Sequence, residues 1–145
     1  GEQLKAIQKV ASGGELSRIA LAIKAVCADK EDIGVMIFDE IDTGIGGKTA
    51  QMVAEKIAMV AMHKQVLCIT HLPQIACMAD SHLYIEKQTY DGKTITSIKL
   101  LDDTEHLNEL ARMASGADIT KAAMDNALEM KKNAQFKKNQ WKKEA

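Results

Sequence analysis

Two short, unbroken apolar runs constrain this chain more than any other feature. Val35-Met36-Ile37-Phe38 ends in Asp39-Glu40, and Val66-Leu67-Cys68-Ile69 ends in Thr70-His71. Alternation of apolar and polar residues would mark a strand with one wet face. A continuous run predicts a strand buried on both faces, as in a parallel sheet. Around the two runs the apolar spacing turns helical. Over 15–28, Leu16, Ile19, Ala20, Ile23, Val26 and Cys27 form a stripe at helical intervals, and over 48–62 the residues predicted to face inward are Val53, Ile57, Val60 and Ala61. Helix, strand, helix, strand is the order of an α/β fold. In such a fold the residues that end the strands gather on one side of the sheet, where ligands bind.

The rest of the chain extends this plan. Pro73 opens a short helix reaching about residue 79, at a position where proline is tolerated. Residues 82–86 and 94–100 read as strands around an Asp91-Gly92 hairpin turn. Helices follow over 104–114 and 118–142, so that 118–145 makes a helical basic tail. The 145 residues suit a single domain. Aromatics are only 3%, which leaves the core to Ile, Leu, Val, Met and Ala. Residues 1–11 read as an entry segment, too polar over 1–9 for a signal peptide. No apolar run nears the roughly 20 residues of a membrane span, and a net charge of -1 gives no general pull toward nucleic acid or membrane. Cys27, Cys68 and Cys77 are odd in number and lack CxxC spacing. They read as small core residues in a reducing, cytoplasmic setting.

Three motifs carry chemistry. In Ser12-Gly13-Gly14-Glu15-Leu16-Ser17-Arg18, Ser12 and Glu15 suffice for a capping box. Two adjacent glycines are more than a cap requires. They let backbone amides at a helix N-terminus approach an anion closely, and a phosphate is the obvious one. The second motif, residues 35–40, is a Walker B pattern. Asp39 suits a Mg²⁺ ion, a hard cation that prefers oxygen ligands, and Glu40 suits the orientation or deprotonation of an attacking water; a solvated strand end would also carry two acids. In the third, Thr70-His71-Leu72-Pro73-Gln74, a parallel pairing of the two strands places His71 near Asp39 and Glu40, where it can meet a γ-phosphate or serve structure alone. His63, His82 and His106 show no ligand spacing. Gly46-Gly47-Lys48-Thr49 imitates the end of a phosphate-binding GxxxxGK[ST] loop. The first glycine of that pattern falls on Asp42, and no separate strand precedes it, so Lys48 and Thr49 are assigned to the start of a helix.

Together, in this order and spacing, the three motifs resemble the C-terminal lobe of a P-loop ATPase head of the ABC type: signature motif 12–18, Walker B 35–40 and H-loop 70–74. Glu15 and Ile41 replace the glutamine and proline usual in transporter subunits and place the resemblance in the SMC-like branch. Within it, the residues from Val10 to Arg18, Phe38 to Gly47, Thr70 to Ala76, and Glu109-Leu110-Ala111-Arg112-Met113 resemble the RecN family of bacterial repair proteins. That resemblance implies ATP and Mg²⁺ as cofactors. It implies nucleotide contacts from Ser12, Gly13, Gly14 and Glu15, a metal ligand in Asp39, a catalytic base in Glu40 and a switch histidine in His71. A D-loop would lie over 43–47. The implied partners are an N-terminal Walker A lobe of the same protein, a second head in a homodimer, and DNA, in a nucleoid-associated, cytoplasmic role in double-strand-break repair. No residue here does the work of the Walker A lysine. The chain alone is therefore expected to be a fragment without ATPase activity. Two other readings stand beside this one: a non-catalytic, ATP-gated dimerisation module, and a transporter ATPase subunit. In the tail, Lys131, Lys132, Lys137, Lys138, Lys142 and Lys143 with Trp141 suit either DNA phosphates and a stacked base or a solvated helix end.

Overall fold

The computed structural model describes residues 11–27, 33–90 and 93–144. Its elements are α1 (Gly13–Cys27), β1 (Val35–Phe38), α2 (Gly47–Ala61), β2 (Gln65–Cys68), α3 (Pro73–Ala76), β3 (Leu83–Tyr90), β4 (Lys93–Leu100), α4 (Asp103–Ser115) and α5 (Lys121–Glu144). This is the α/β order read from the sequence. The strands β1 and β2 are parallel neighbours, with Ile37 opposite Leu67 and Phe38 opposite Cys68. The hairpin β3–β4 is a separate antiparallel sheet in which Ile85 faces Ile98. Its turn residues, Asp91 and Gly92, lie outside the described residues, as do the entry segment over 1–10 and Ala28.

Burial corrects the expectation of strands covered on both sides. Along β1, Met36 and Phe38 are buried, whereas Val35 and Ile37 are exposed. Leu67 and Ile69, on the same face by the pairing register, are exposed too. One face of the sheet packs into the chain's own core and the other lies bare. The same correction applies to α1. The stripe expected to face inward leaves Ile19, Ile23 and Val26 exposed, and Leu21 is buried in its place. The apolar spacing is real, but it records a surface left exposed among the described residues. In α2 the reading fares better: Ile57 and Val60 are buried, and Val53 packs against the core.

The core lies between the covered sheet face and helices α2 to α5, with Ile41, Val60 and Leu110 wholly enclosed. Helix α4 starts on a complete capping box, Asp102 with Glu105, and ends at Gly116 in a positive-φ conformation. Ala123, Ala127 and Ala134 line the buried side of α5 at helical spacing; such small residues let two helices approach closely. Half of the tail's lysines considered above are committed to ion pairs. Lys131 pairs with Asp103, Lys137 with Glu55 and Lys138 with Asp80, and Trp141 packs against the core. Cys77 is buried, Cys68 half-buried, and burial pushes both thiols up to about 11. They behave as the small core residues expected.

Where β3 begins, His82 and His106 meet edge to face with ring centroids 4.9 Å apart. Burial holds both rings below the ordinary histidine value. For His106 the neighbouring His82 and Lys131 act in the same direction, opposed by the Ala76 carbonyl and Asp103; for His82 Glu109 opposes. A depressed folded value means that the unfolded chain binds protons more readily. The stabilisation is therefore present above about pH 6.5 and is lost as pH falls toward the folded values. Urea midpoints should drop between pH 7.5 and 5.5, and the drop should shrink in His106→Phe, which keeps a ring without the proton. An equal drop in both proteins would remove this pair as the cause.

Candidate functional site

The residues singled out by the three motifs converge at the C-terminal ends of β1 and β2. Asp39 and Glu40 leave β1 directly into solvent. Asp39 Oδ1 accepts the Glu40 amide at 2.9 Å, and its second oxygen has no hydrogen-bond or ion-pair partner among the described residues. Glu40 has a φ of 56°, a left-handed conformation that is costly for a residue with a Cβ. That turn is closed by the Thr43 amide donating to the Glu40 carbonyl at 3.1 Å.

The N-terminus of α1 packs on this turn. A Cβ on Gly13 would sit 2.8 Å from Glu40 Oε2, and one on Gly14 2.8 Å from the Glu40 carbonyl oxygen. Close approach to backbone therefore requires glycine at 14, whereas at 13 the atom met is the free end of a flexible side chain. Two further contacts fasten the helix: the Ser17 hydroxyl donates to the Asp39 carbonyl at 3.2 Å, and Arg18 Nη1 donates to the carbonyls of Ile41 and Thr43 at 3.1 and 2.9 Å. Ser12 and Glu15 form the capping contacts of the plainer reading. The Ser12 amide and hydroxyl both donate to Glu15 Oε2 at 2.8 Å, and these bonds hold the exposed Glu15 carboxyl below its ordinary value. Glu15 thus points back at Ser12, while Gly13 and Gly14 lie against Glu40.

His71 follows β2 with its ring 73% exposed. It is tied to the loop after β1 by Asp42, a residue only 4% exposed. Asp42 Oδ2 accepts the Thr70 hydroxyl at 2.6 Å and the His71 amide at 2.9 Å. Neither Asp42 nor Arg18 is among the functional residues expected from the sequence, where Asp42 figures as the residue that breaks the GxxxxGK[ST] pattern and as one of the residues from Phe38 to Gly47 that carry the resemblance. The signal for Asp42 was faint: one acid among loop residues, beside an Ile41 that anchors the loop in the core. Lys48 lies exposed in the first turn of α2, as expected.

Elsewhere, an open groove of about 450 Å³ between the hairpin and α4 includes Lys99, Glu105, Glu109 and Arg112. Its cations are paired, Lys99 with Glu105 and Arg112 with Glu109. No helix among the described residues is long and apolar enough to cross a membrane.

The chain is similar to a group of bacterial proteins. It is 52% identical over 134 residues to the DNA repair protein RecN of Bacillus subtilis, covering 92% of this chain and 23% of that protein. It is 46% identical over 130 residues to the RecN of Haemophilus influenzae, covering 90% of this chain and 23% of the relative. With the RecN of Deinococcus radiodurans it shares 46% identity over 130 residues, 90% of this chain and 22% of the relative. The chain spans about a quarter of the length of these relatives. No protein-family model matches it.

Proposed function

From the premise that this chain shares its sequence with the C-terminal part of RecN proteins, we propose that it is the C-terminal lobe of a P-loop, ABC-type ATPase head acting in DNA double-strand-break repair and recombination. The observation that carries the proposal is the junction at the ends of β1 and β2. A two-glycine helix N-terminus, a pair of exposed acids and an exposed histidine are held there by direct contacts.

The residues present fit ATP and Mg²⁺. Gly13 and Gly14 bring α1's first amides within reach of an anion, and Asp39 keeps one oxygen unengaged at the sheet's ligand-binding end. When bound, the metal neutralises charge developing on the phosphates. Glu40 orients the attacking water and takes its proton; its carboxylate is exposed and carried by a tight turn. Ser12 exchanges its bond to Glu15 for one to a phosphate. In the two-head arrangement, Ser12, Gly13 and Gly14 serve the nucleotide of the partner head, while Asp39, Glu40 and His71 serve the head's own. The contacts of Ser17, Arg18 and Gly14 with residues 39–43 then tie the two duties together within one chain.

The bare sheet face supports a missing lobe. Val35, Ile37, Leu67 and Ile69 form an exposed aliphatic surface, and relatives are about four times as long. We assign this face to the N-terminal, Walker A-bearing part of the same protein. Contact with DNA belongs to the assembled protein. Half of the tail lysines considered for it, Lys131, Lys137 and Lys138, are bound to the chain's own acids.

The test is reconstitution. The chain alone should turn over ATP at the background rate, and turnover should appear on adding the Walker A-bearing segment. Turnover by the chain alone that vanishes in Glu40→Gln would overturn the division of labour.

A further inference from the structure

The parallel ladder between β1 and β2 stops where the strands end. Its last backbone bond is the Ile69 amide donating to the Phe38 carbonyl at 3.0 Å. Beyond it the strands run into two loops, one carrying Asp39 and Glu40 and the other His71. Among the described residues, the hydrogen bonds that still join these loops all end on one side chain. Asp42 Oδ2 accepts the Thr70 hydroxyl at 2.6 Å and the His71 amide at 2.9 Å. Thr70 Oγ1 in turn accepts the Leu72 amide at 3.0 Å. A carboxylate oxygen thus takes the place of the next backbone carbonyl. It satisfies the His71 amide directly, and through Thr70 it fixes the acceptor of the Leu72 amide.

The acceptor is itself a fixed point. Asp42 is buried and follows Ile41, which is wholly enclosed. Arg18 Nη1 holds the carbonyls on either side of it, those of Ile41 and Thr43. Asp42's own carbonyl accepts the Ile45 amide at 3.3 Å. We propose that Asp42 is a positioning residue that sets where the backbone of His71 stands relative to Glu40. The anchoring is a property of the two loops themselves. Its consequence rests on the ATPase reading above, in which Glu40 meets the attacking water and His71 the γ-phosphate of one nucleotide. The spacing of the loops is then the spacing of two groups that act on one reaction. Asp42 touches neither water nor nucleotide in this account. A misplacement of about 1 Å in such a pair slows the chemical step, by as much as about a hundredfold.

Amide hydrogen exchange in the ¹⁵N-labelled chain tests the anchoring. The His71 amide belongs to an exposed loop residue, and its partner is Asp42. It should exchange about tenfold or more slower than an unprotected amide. In Asp42→Ala that protection should disappear while the amides of α2 keep theirs. Asp42→Asn should retain it, because one amide oxygen can accept both donors as Oδ2 does. In the full-length protein that carries this segment, Asp42→Ala should lower kcat about ten- to a hundredfold with KM little changed. Asp42→Asn should recover most of that loss. A His71 amide that exchanges freely in the unmodified chain overturns the proposal, whether or not the alanine variant folds. So does an Asp42→Asn protein that keeps the protected amide yet turns over as slowly as Asp42→Ala, since the carboxylate would then act through its charge. A normal kcat in Asp42→Ala beside a reduced one in His71→Ala has the same effect. If His71→Ala itself turns over ATP normally while the exchange pattern is as stated, the ATPase role of His71 fails and the anchoring by Asp42 stands.

Discussion

Replacing Glu40 with glutamine should abolish ATP turnover in the full-length protein that carries this segment, by about 10²- to 10⁴-fold, while leaving ATP binding intact. The amide keeps the volume of the carboxylate and can still hold a water. It cannot take the water's proton. Nothing in the fold should change, because Glu40's side chain is exposed and its left-handed backbone costs glutamine what it costs glutamate. Asp39 keeps its unengaged oxygen, so metal-dependent binding should persist.

This separation of binding from turnover gives the experiment its force. Paired heads joined by ATP would be unable to hydrolyse their way apart, so sizing in the presence of ATP should show the dimer accumulating in Glu40→Gln and dissipating in the unmodified protein. A variant that turns over ATP at the normal rate would remove Glu40 from the role of base. A variant that no longer binds ATP would show that Glu40 holds the nucleotide instead.

The motifs of this site were legible in the sequence because each is contiguous: a glycine pair before a helix, two acids ending an apolar run, a histidine ending another. Their convergence was legible as well, because parallel pairing of β1 with β2 puts both strand ends on one side. The contacts that lock the convergence were not. Arg18 and Asp42 act on residues 25 and 29 positions away or nearly so (Arg18 on Thr43, Asp42 on the His71 amide), and no local pattern announces such a bond. Burial failed for a different reason. Periodicity reports which residues want to be covered, without saying by what. Ile19, Ile23, Val35 and Ile37 satisfy the pattern of an interior and lie on the outside.

The two signature glycines should respond to alanine in different ways, and the difference tests the packing of α1 on the Glu40 turn. Both lie in α1, so alanine gains up to about 1 kcal/mol of helix propensity at either position. At Gly14 the new Cβ meets the Glu40 carbonyl at 2.8 Å and Thr43 Cβ at 3.2 Å. Backbone cannot swing aside, and overpacking of this kind costs about 1–3 kcal/mol. The clash wins. Gly14→Ala should lower the thermal midpoint by several degrees and displace the loop that carries Glu40. At Gly13 the only close atom among the described residues is Glu40 Oε2, at 2.8 Å, the free end of a flexible side chain. The carboxylate rotates away at little expense, so Gly13→Ala should match the unmodified chain in stability. Its defect should appear only with ligand. A methyl group would stand where α1's amides approach the phosphate, and in the full-length protein ATP-dependent pairing should be lost. Gly14→Ala as stable as the unmodified chain would contradict the contact between α1 and the Glu40 turn; Gly13→Ala with normal ATP-dependent pairing would leave that contact standing and take the anion away from the helix N-terminus.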